Sequence, residues 1–462
     1  MGAVENDAEH ARARRRGYRF AAVFSALWLG VAAASYLHGD WTRNDFERFD
    51  DLRLSFLFFA LVGGLAATYA ALVAQPPRLS RRALLLAAAA WTALLIGSFP
   101  VGSKDVFLYA AYGRIQVLHG GNPYLVTPAD FPGDRWDPYV QHRWRDQPTV
   151  YGPLFLAQAR LVEALAGAQP WATVWLHKGL AGAFFLACVW VAARLRPGPL
   201  GAAPLLLFAW NPLLLFESAG AAHNDIAMVF LLLAALACWR AERRAAALAL
   251  LAVSFWYKWY ALLFLPALAL EMWKRRDWPQ AWRGAGALLA AGVACGAFAL
   301  ALLPGSAAAI AQQLLHPAVV QGIFPHEISP VLAALFWPMH ATGLFALPIG
   351  ATAFHLARGA LFAIFALAVL VRQARAPEGL EALLQSCFLL GAGFFALMVT
   401  MLFPWHLLSV VALGLLCERR AFVVAAAAIS LLALLSYFLT FAVAALLFAA
   451  VAAALWLLRR AA

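Results

Sequence analysis

Asp105 opens the stretch "KDVFLYAAYGRIQVLHGGNPY", which follows an apolar run long enough to cross a membrane. A carboxylate there stands near the lipid headgroups, where one side chain can meet both a lipid-borne substrate and water. Two readings follow: a functional group that faces such a substrate, or an interfacial anchor that also caps the helix starting at this point. Helical spacing brings Tyr109, Tyr112 and Arg114 near one another beyond it. The turn-forming Gly-Gly-Asn-Pro, which includes Asn122 and is followed by Tyr124, then halts that helix.

The loop "DRWDPYVQHRWRDQPTVYGP" interleaves Arg135, His142, Arg143 and Arg145 with Trp136, Tyr139, Trp144 and Tyr151. Guanidinium groups pair bidentately with phosphate and flat rings stack on the apolar face of a pyranose, so this mixture suits a sugar phosphate. An aromatic interface belt has the same composition. Further on, "AWNPLLLFESAGAAHND" places an Asn211-Pro212 break in an apolar run and gathers Glu217, His223, Asn224 and Asp225 at its end. Ionisable groups at a bilayer boundary are costly, which favours a functional role, while Asp225 can also cap the helix that follows. Lys258, in the aromatic "SFWYKWY", is a counter-ion for a phosphate or a snorkelling lysine. His326 and Glu327 in the 304–349 loop, with Trp405 and His406 in "FPWH", are the remaining polar intrusions.

The elements that must hold these residues are membrane helices. Of 462 residues, 64% are hydrophobic and 13% charged. Most apolar runs are about 15 to 24 residues long, matching a bilayer core at about 1.5 Å per helical residue. That pattern excludes a soluble globule and an outer-membrane barrel. The net charge of +12 lies in short basic clusters between the runs, which positive-inside bias explains and a nucleic-acid surface does not. All five cysteines sit in or at the ends of apolar runs without CxxC spacing, as packing residues do.

Basic clusters at Arg14–Arg16, Arg78/Arg81/Arg82, Arg194/Arg196, Arg240/Arg243/Arg244, Lys274–Arg276, Arg372/Arg375, Arg419/Arg420 and Arg459/Arg460 mark eight predicted cytoplasmic turns. The resulting fold is all-α, a polytopic transmembrane bundle of about 14 spans, with 11 to 14 compatible with the pattern. The spans fall at 19–37, 53–75, 83–100, 171–193, 200–218, 226–239, 245–257, 259–272, 284–303, 350–371, 382–403, 405–417, 421–438 and 440–458. "YGPLFLAQARLVEALAG" would invert every later cluster if it crossed. It is therefore expected as a juxtamembrane helix in the interface, with Gln158, Arg160 and Glu163 on its polar side. The basic "ARARRR" makes residues 1–17 a cytoplasmic N-terminus rather than a signal peptide. Residues 18–462 then form one membrane domain with external loops at 101–170 and 304–349.

Taken together, "KDVFLYAAYGRIQVLHGGNPY…VYGPLF", "AWNPLLLFESAGAAHND" and "FPWH" resemble the polyprenyl-phosphate-mannose-dependent mannosyltransferases of the GT-C glycosyltransferase superfamily. The likeness is to the alpha-1,6-mannosyltransferases of lipoglycan assembly and covers most of the chain after about residue 85. It implies a GT-C-like fold in an inner or plasma membrane with the site on the extracytoplasmic face. It also implies a polyprenyl-phosphate sugar donor, a glycan or glycolipid acceptor, and an aspartate base in the first external loop, which falls on Asp105. His406 departs from the tyrosine that often follows "PW" in the family.

Such a donor is already activated, so one base and cationic groups for the departing phosphate suffice, in a single inverting step. No cofactor is expected; a divalent cation shared by Asp105 and Asp225 is the alternative, with no DxD spacing in the first loop. No nucleic-acid partner is expected, only donor, acceptor and membrane lipids. Two rival functions remain: transfer of another polyprenyl-linked sugar, and a transporter or lipid flippase, which would place its ionisable groups near the bilayer midplane.

Overall fold

Apolar runs bounded by prolines and small polar caps become helices along the whole described chain, and no strand occurs among the described residues. The computed structural model describes residues 2–37, 52–77, 79–167, 169–197, 203–315, 351–399 and 402–437. The helices of the first part are α1 (Gly2–Ser35), α2 (Leu52–Ala74), α3 (Arg81–Gly97), α4 (Asp105–Val117), α5 (His142–Arg145), α6 (Pro153–Ala166), α7 (Pro170–Leu195), α8 (Ala203–Ala209), α9 (Pro212–Leu215) and α10 (Asp225–Arg240). Then come α11 (Arg244–Tyr257), α12 (Leu265–Arg275), α13 (Trp278–Leu302), α14 (Ala307–Leu315), α15 (Ala351–Arg375), α16 (Leu380–Leu397), α17 (Leu408–Leu415) and α18 (Arg420–Leu435). Starts are written locally. Ser80 accepts from the Ala83 N–H and Asp277 from the Gln280 N–H, each at 3.2 Å. Prolines occupy the first turns of α7, α9, α12 and α13, where a missing N–H has no partner to lose.

Among the described residues, six helices are long and apolar enough to cross a membrane: Arg12–Ser35, Arg53–Ala74, Trp171–Leu195, Trp278–Leu302, Leu356–Arg375 and Leu380–Leu397. They coincide with six of the expected spans. Three other expected spans are interrupted. The 200–218 run is α8, a break, α9 and a π turn; 259–272 begins as the 3₁₀ segment Trp259–Phe264; 405–417 is the 3₁₀ turn Pro404–Leu407 followed by α17. Helices of 14 to 17 residues occupy 83–100, 226–239, 245–257 and 421–438, and 440–458 lies outside the described residues.

The chain divides into two units, Met1–Thr149 with Phe155–Phe230, and Val150–Leu154 with Leu231–Ala462. In the first, α3 runs antiparallel to α7: Thr92 and Ile96 close over Gly182, and Lys178 reaches the end of α3 at Ser98. Trp210 donates its indole N–H to the Leu84 carbonyl at 3.2 Å, and Tyr69 its hydroxyl to the Leu207 carbonyl at 2.8 Å.

In the second unit, basic clusters from separate turns meet at one end. Arg244 and Arg275 share Glu242 at 2.6 and 2.9 Å, and Arg275 reaches Glu378 at 3.6 Å. Lys274 binds Glu271 and the carbonyls of Gln373 and Ala376. Glu381 accepts from the Glu418 N–H at 2.9 Å. The far end of α11, carrying Tyr257 and Lys258, lies about 20 Å away at 1.5 Å per residue.

The juxtamembrane segment is helical as expected, but its faces differ from the expectation. α6 buries Phe155, Leu156, Ala159, Val162 and also Glu163, and leaves Leu161 and Leu165 exposed. Glu163 turns inward because an arginine and a threonine await it there, as described next.

Candidate active site

Asp105 is the first residue of α4, so its carboxylate stands at the positive end of the helix dipole, and Lys104 occupies the cap position without a side-chain cap bond. Its own N–H donates to Ser103 Oγ at 3.1 Å. One turn on, the Tyr109 hydroxyl donates to Asp105 Oδ2 at 3.5 Å. Across from it, His223 Nδ1 lies 3.6 Å from the same oxygen, and His223 Nε2 lies 3.3 Å from Glu217 Oε2. Carboxylate, imidazole and carboxylate thus stand in a row. Asp105 keeps 12% of its side chain exposed, whereas His223 and Glu217 are fully buried.

The segment that presents Glu217 and His223 is irregular for identifiable reasons. Asn211 caps α9 by accepting from the Leu214 N–H at 3.0 Å. Five residues later the chain enters a π turn, Phe216–Gly220, in which the Ala221 N–H reaches the Phe216 carbonyl at 2.8 Å. Ala222 then takes a left-handed conformation with φ +65°, strained for a residue with a Cβ. The His223 N–H closes the bend on the Glu217 carbonyl at 2.9 Å. Π turns and left-handed non-glycine residues are retained mostly at functional sites. Asp225 starts α10 fully buried, and Asn224 beside it is 4% exposed, with neither carboxamide atom hydrogen-bonded among the described residues.

Arg114 belongs to a different assembly. Its Nε donates to both Asp134 oxygens at 3.0 Å and its Nη1 to Glu163 at 3.3 Å. Asp134 also meets His119 Nε2 at 2.8 Å and accepts from the Trp136 N–H at 3.0 Å, and Glu163 accepts from Thr173 at 2.8 Å. One guanidinium therefore ties α4 to the loop that follows it and to α6. Gly113 allows this approach, since a Cβ there would stand 2.6 Å from the Ala159 carbonyl oxygen. Burial works to raise the Asp134 pKa, but the bonds from Trp136, His119 and Arg114 outweigh it and hold the carboxyl below the usual carboxylate range. Glu163 goes the other way: burial raises it, and Thr173 and Arg114 compensate only in part.

The remaining predicted residues separate by role. Tyr112 is buried with Thr149 as partner, and burial, with the charge of Asp105 adding to it, pushes its phenol up. Asn122 accepts from the Tyr124 N–H at 3.0 Å and shapes the turn, while Tyr124 is itself buried and its phenol is pushed up by that burial. His142 is exposed, and Arg145 bonds Asp137 at 2.6 Å. The Arg143 side chain, His326 and Glu327 lie outside the described residues. Within the second unit, Lys258 Nζ stands 5.5 Å from the centre of the Tyr151 ring. Gly152 makes that register possible, because a Cβ would stand 2.2 Å from the Trp256 carbonyl oxygen. Trp405 stacks on Phe403 at 4.5 Å, and His406 lies parallel to Phe395 at 5.9 Å. Among the described residues, no group of three His, Cys, Asp or Glu is placed to hold a metal ion.

Sequence reasoning missed Asp134, whose partners lie 15 and 20 residues away, and also His177 and Lys178. The signal for the last two was an adjacent ionisable pair inside the apolar run 171–193. His177 packs against Tyr109 and Phe155, with ring centres 5.8 and 6.4 Å apart.

The fold and site describe an all-helical membrane protein with a buried acid and imidazole row at the start of a helix. The profile of a family described as "Alpha-(1->6)-mannopyranosyltransferase, N-terminal domain" matches residues 19–274, more than half of the chain, and the chain belongs to that family. It is similar to a probable alpha-(1->6)-mannopyranosyltransferase of Mycolicibacterium smegmatis, 35% identical over 161 residues, which are 34% of this chain and 29% of the relative. Alpha-(1->6)-mannopyranosyltransferase A of Mycobacterium tuberculosis is 32% identical over 187 residues, 40% and 36% of the two chains. The protein of that name from Corynebacterium glutamicum is 30% identical over 174 residues, 37% and 35%. The chain spans about a third of the length of the curated relatives it matches.

Proposed function

We propose that this chain transfers a mannosyl unit from a polyprenyl-phosphate donor to a hydroxyl of a glycan or glycolipid acceptor, with inversion, on the outer face of a cell membrane. The family membership supports mannosyl transfer, and the row Asp105, His223, Glu217 is the observation that carries the mechanism. Asp105 takes the proton of the acceptor hydroxyl as its oxygen attacks the anomeric carbon from the face opposite the phosphate. The new glycosidic C–O bond forms as the C–O bond to phosphate breaks, and the electron pair leaves on the polyprenyl phosphate. His223, seated between Asp105 and Glu217, fixes the direction of the carboxylate, and Glu217 fixes the imidazole, an arrangement in which each group orients the next. The spacings of 3.3 to 3.6 Å suit a site whose bonds tighten only when substrate is bound.

Lys258, over the Tyr151 ring in the second unit, is proposed to offer positive charge to a donor phosphate; Arg143 and Arg145 of the first unit are separate candidates for the same chemistry, and Asn224 offers an uncommitted carboxamide to a sugar hydroxyl. Tyr109 and Tyr112 line the base, and Trp405 and His406 offer faces for the sugar or the prenyl chain. His326 and Glu327 are proposed as further substrate contacts. The test is to incubate membranes containing the protein with radiolabelled polyprenyl-phosphate-mannose and candidate acceptors. Transfer by the wild type and its loss in Asp105→Asn support the reading; no transfer to any acceptor, or equal transfer by both, overturns it.

A further inference from the structure

Lys178 lies in the interior of α7 with its side chain fully buried, next to His177 in a helix that is otherwise mostly apolar along this stretch. A buried lysine is expensive, and a methionine or leucine would fill the same space, so the packing alone does not call for it. Its Nζ donates to the Ser98 carbonyl and lies 3.2 Å from Ser98 Oγ, with the Trp175 ring 5.4 Å away. Ser98 is the C-cap of α3, so the lysine satisfies a carbonyl that the helix end leaves without an intrahelical donor.

The chain from that cap to Asp105 is held at several points. Tyr36 donates to the Gly97 carbonyl, the Phe99 N–H donates to Ser35 Oγ at 3.0 Å, and the Asp105 N–H donates to Ser103 Oγ at 3.1 Å. Six residues separate Ser98 from Asp105, and Gly102 at φ +89° provides the bend. The second unit repeats the device at a different helix end. There Arg358 of α15 donates its Nε to the Leu397 carbonyl at 2.8 Å and its Nη2 to the Met398 carbonyl, at the end of α16, just before the segment that carries Trp405 and His406.

We infer that Lys178 is a positioning residue for the catalytic aspartate: by fixing the last turn of α3 it sets where the Phe99–Lys104 segment leaves the helix and hence where Asp105 stands. The inference rests on the reading of Asp105 as the base. Misplacing a reacting group by about 1 Å can cost about 10²-fold in rate without touching substrate binding. Lys178→Met keeps the stem and removes the donor. The expected result is a kcat lowered by about 10- to 100-fold with donor KM changed less than about twofold, and faster amide hydrogen exchange confined to residues 99–108. Arg358→Met should leave exchange at 99–108 unchanged.

Exchange is measured without any transfer assay, so it separates the two claims: faster exchange at 99–108 in a protein whose wild type transfers no sugar sinks the base, not the anchor. Unchanged exchange at 99–108 in Lys178→Met overturns the anchor, and so does faster exchange with an unaltered kcat in a wild type that transfers mannose. Should Lys178→Met not accumulate in membranes, Lys178→Gln is measured in the same way with the same outcomes, since its shorter carboxamide cannot reach the same carbonyl in the same register.

Discussion

Two clusters of charge in the first unit use the same residue types and end with opposite characters. Around Asp134 the bonds are short and saturated: Arg114 at 3.0 Å to both oxygens, His119 at 2.8 Å and the Trp136 N–H at 3.0 Å. Around Asp105 the contacts to Tyr109 and His223 are longer, 3.5 and 3.6 Å, although the two carboxylates are about equally buried, with 12% and 10% of the side chain exposed. A carboxylate held by several short bonds from fixed donors is a strut, because a proton arriving there must break the frame. On the proposed reading, a carboxylate beside an imidazole at longer range takes a proton from a substrate with less of a frame to break. The length of these contacts, more than charge or burial, is then what separates the structural acid from the proposed base.

Substitutions that attack the two clusters should therefore fail in different ways. The largest effect on turnover outside Asp105 itself is expected for His223→Gln, which removes the imidazole while keeping a polar side chain. Transfer should fall about 10²-fold or more with the protein still folded in the membrane, measured as kcat in the mannose transfer assay beside a thermal melt. Arg114→Met strikes the strut and should show the reverse order of damage. Breaking a buried ion pair from one side costs about 3 kcal/mol or more, so the melting temperature should drop by several degrees and activity should follow the folded fraction. Equal melting temperatures for Arg114→Met and wild type would erase the distinction.

Lys258→Met comes next. Losing one charge-assisted contact to a phosphate, about 1.5–3 kcal/mol, should raise the donor KM about tenfold or more, read from initial rates, with little change in kcat. The smallest effect concerns acid. A carboxyl held below its ordinary value in the folded protein stabilises that state above the unfolded pKa, about 3.9, and loses the contribution as pH falls through the depressed folded value. Melting temperature should therefore drop between about pH 4 and the lower folded value, and Asp134→Asn should flatten that drop while lowering stability at neutral pH.

What the sequence made legible was local. Asn211-Pro212 announces a break and Asp105 after an apolar run announces the start of a helix, each within a few residues of the feature it causes. The span count was not legible, because an apolar run broken by a π turn or a 3₁₀ segment, as at 200–218 and 259–272, has the same composition as a continuous one. Arg114 was drawn toward a ligand since its partners, Asp134 and Glu163, lie 20 and 49 residues away and no periodicity connects them. Glu163 was placed on the polar face for the same reason. The proximity of His223 to Asp105 was equally hidden, across 118 residues, although both were singled out one at a time from the cost of placing ionisable groups beside a bilayer.

The contrast between the proposed base and the strut rests finally on Asp105. Asp105→Asn keeps the size of the side chain and its place at the start of α4, and it cannot accept a proton at neutral pH. Asp130→Asn, in the same external segment, alters a carboxylate that merely caps a turn by accepting from the Thr127 N–H at 2.7 Å. Measured side by side with radiolabelled polyprenyl-phosphate-mannose, Asp105→Asn should bind donor nearly as well as wild type and transfer about 10²- to 10⁴-fold less sugar, with Asp130→Asn close to wild type. Near-full transfer by Asp105→Asn would contradict the account and move the search for the base to Glu217, Asp225 and Glu327.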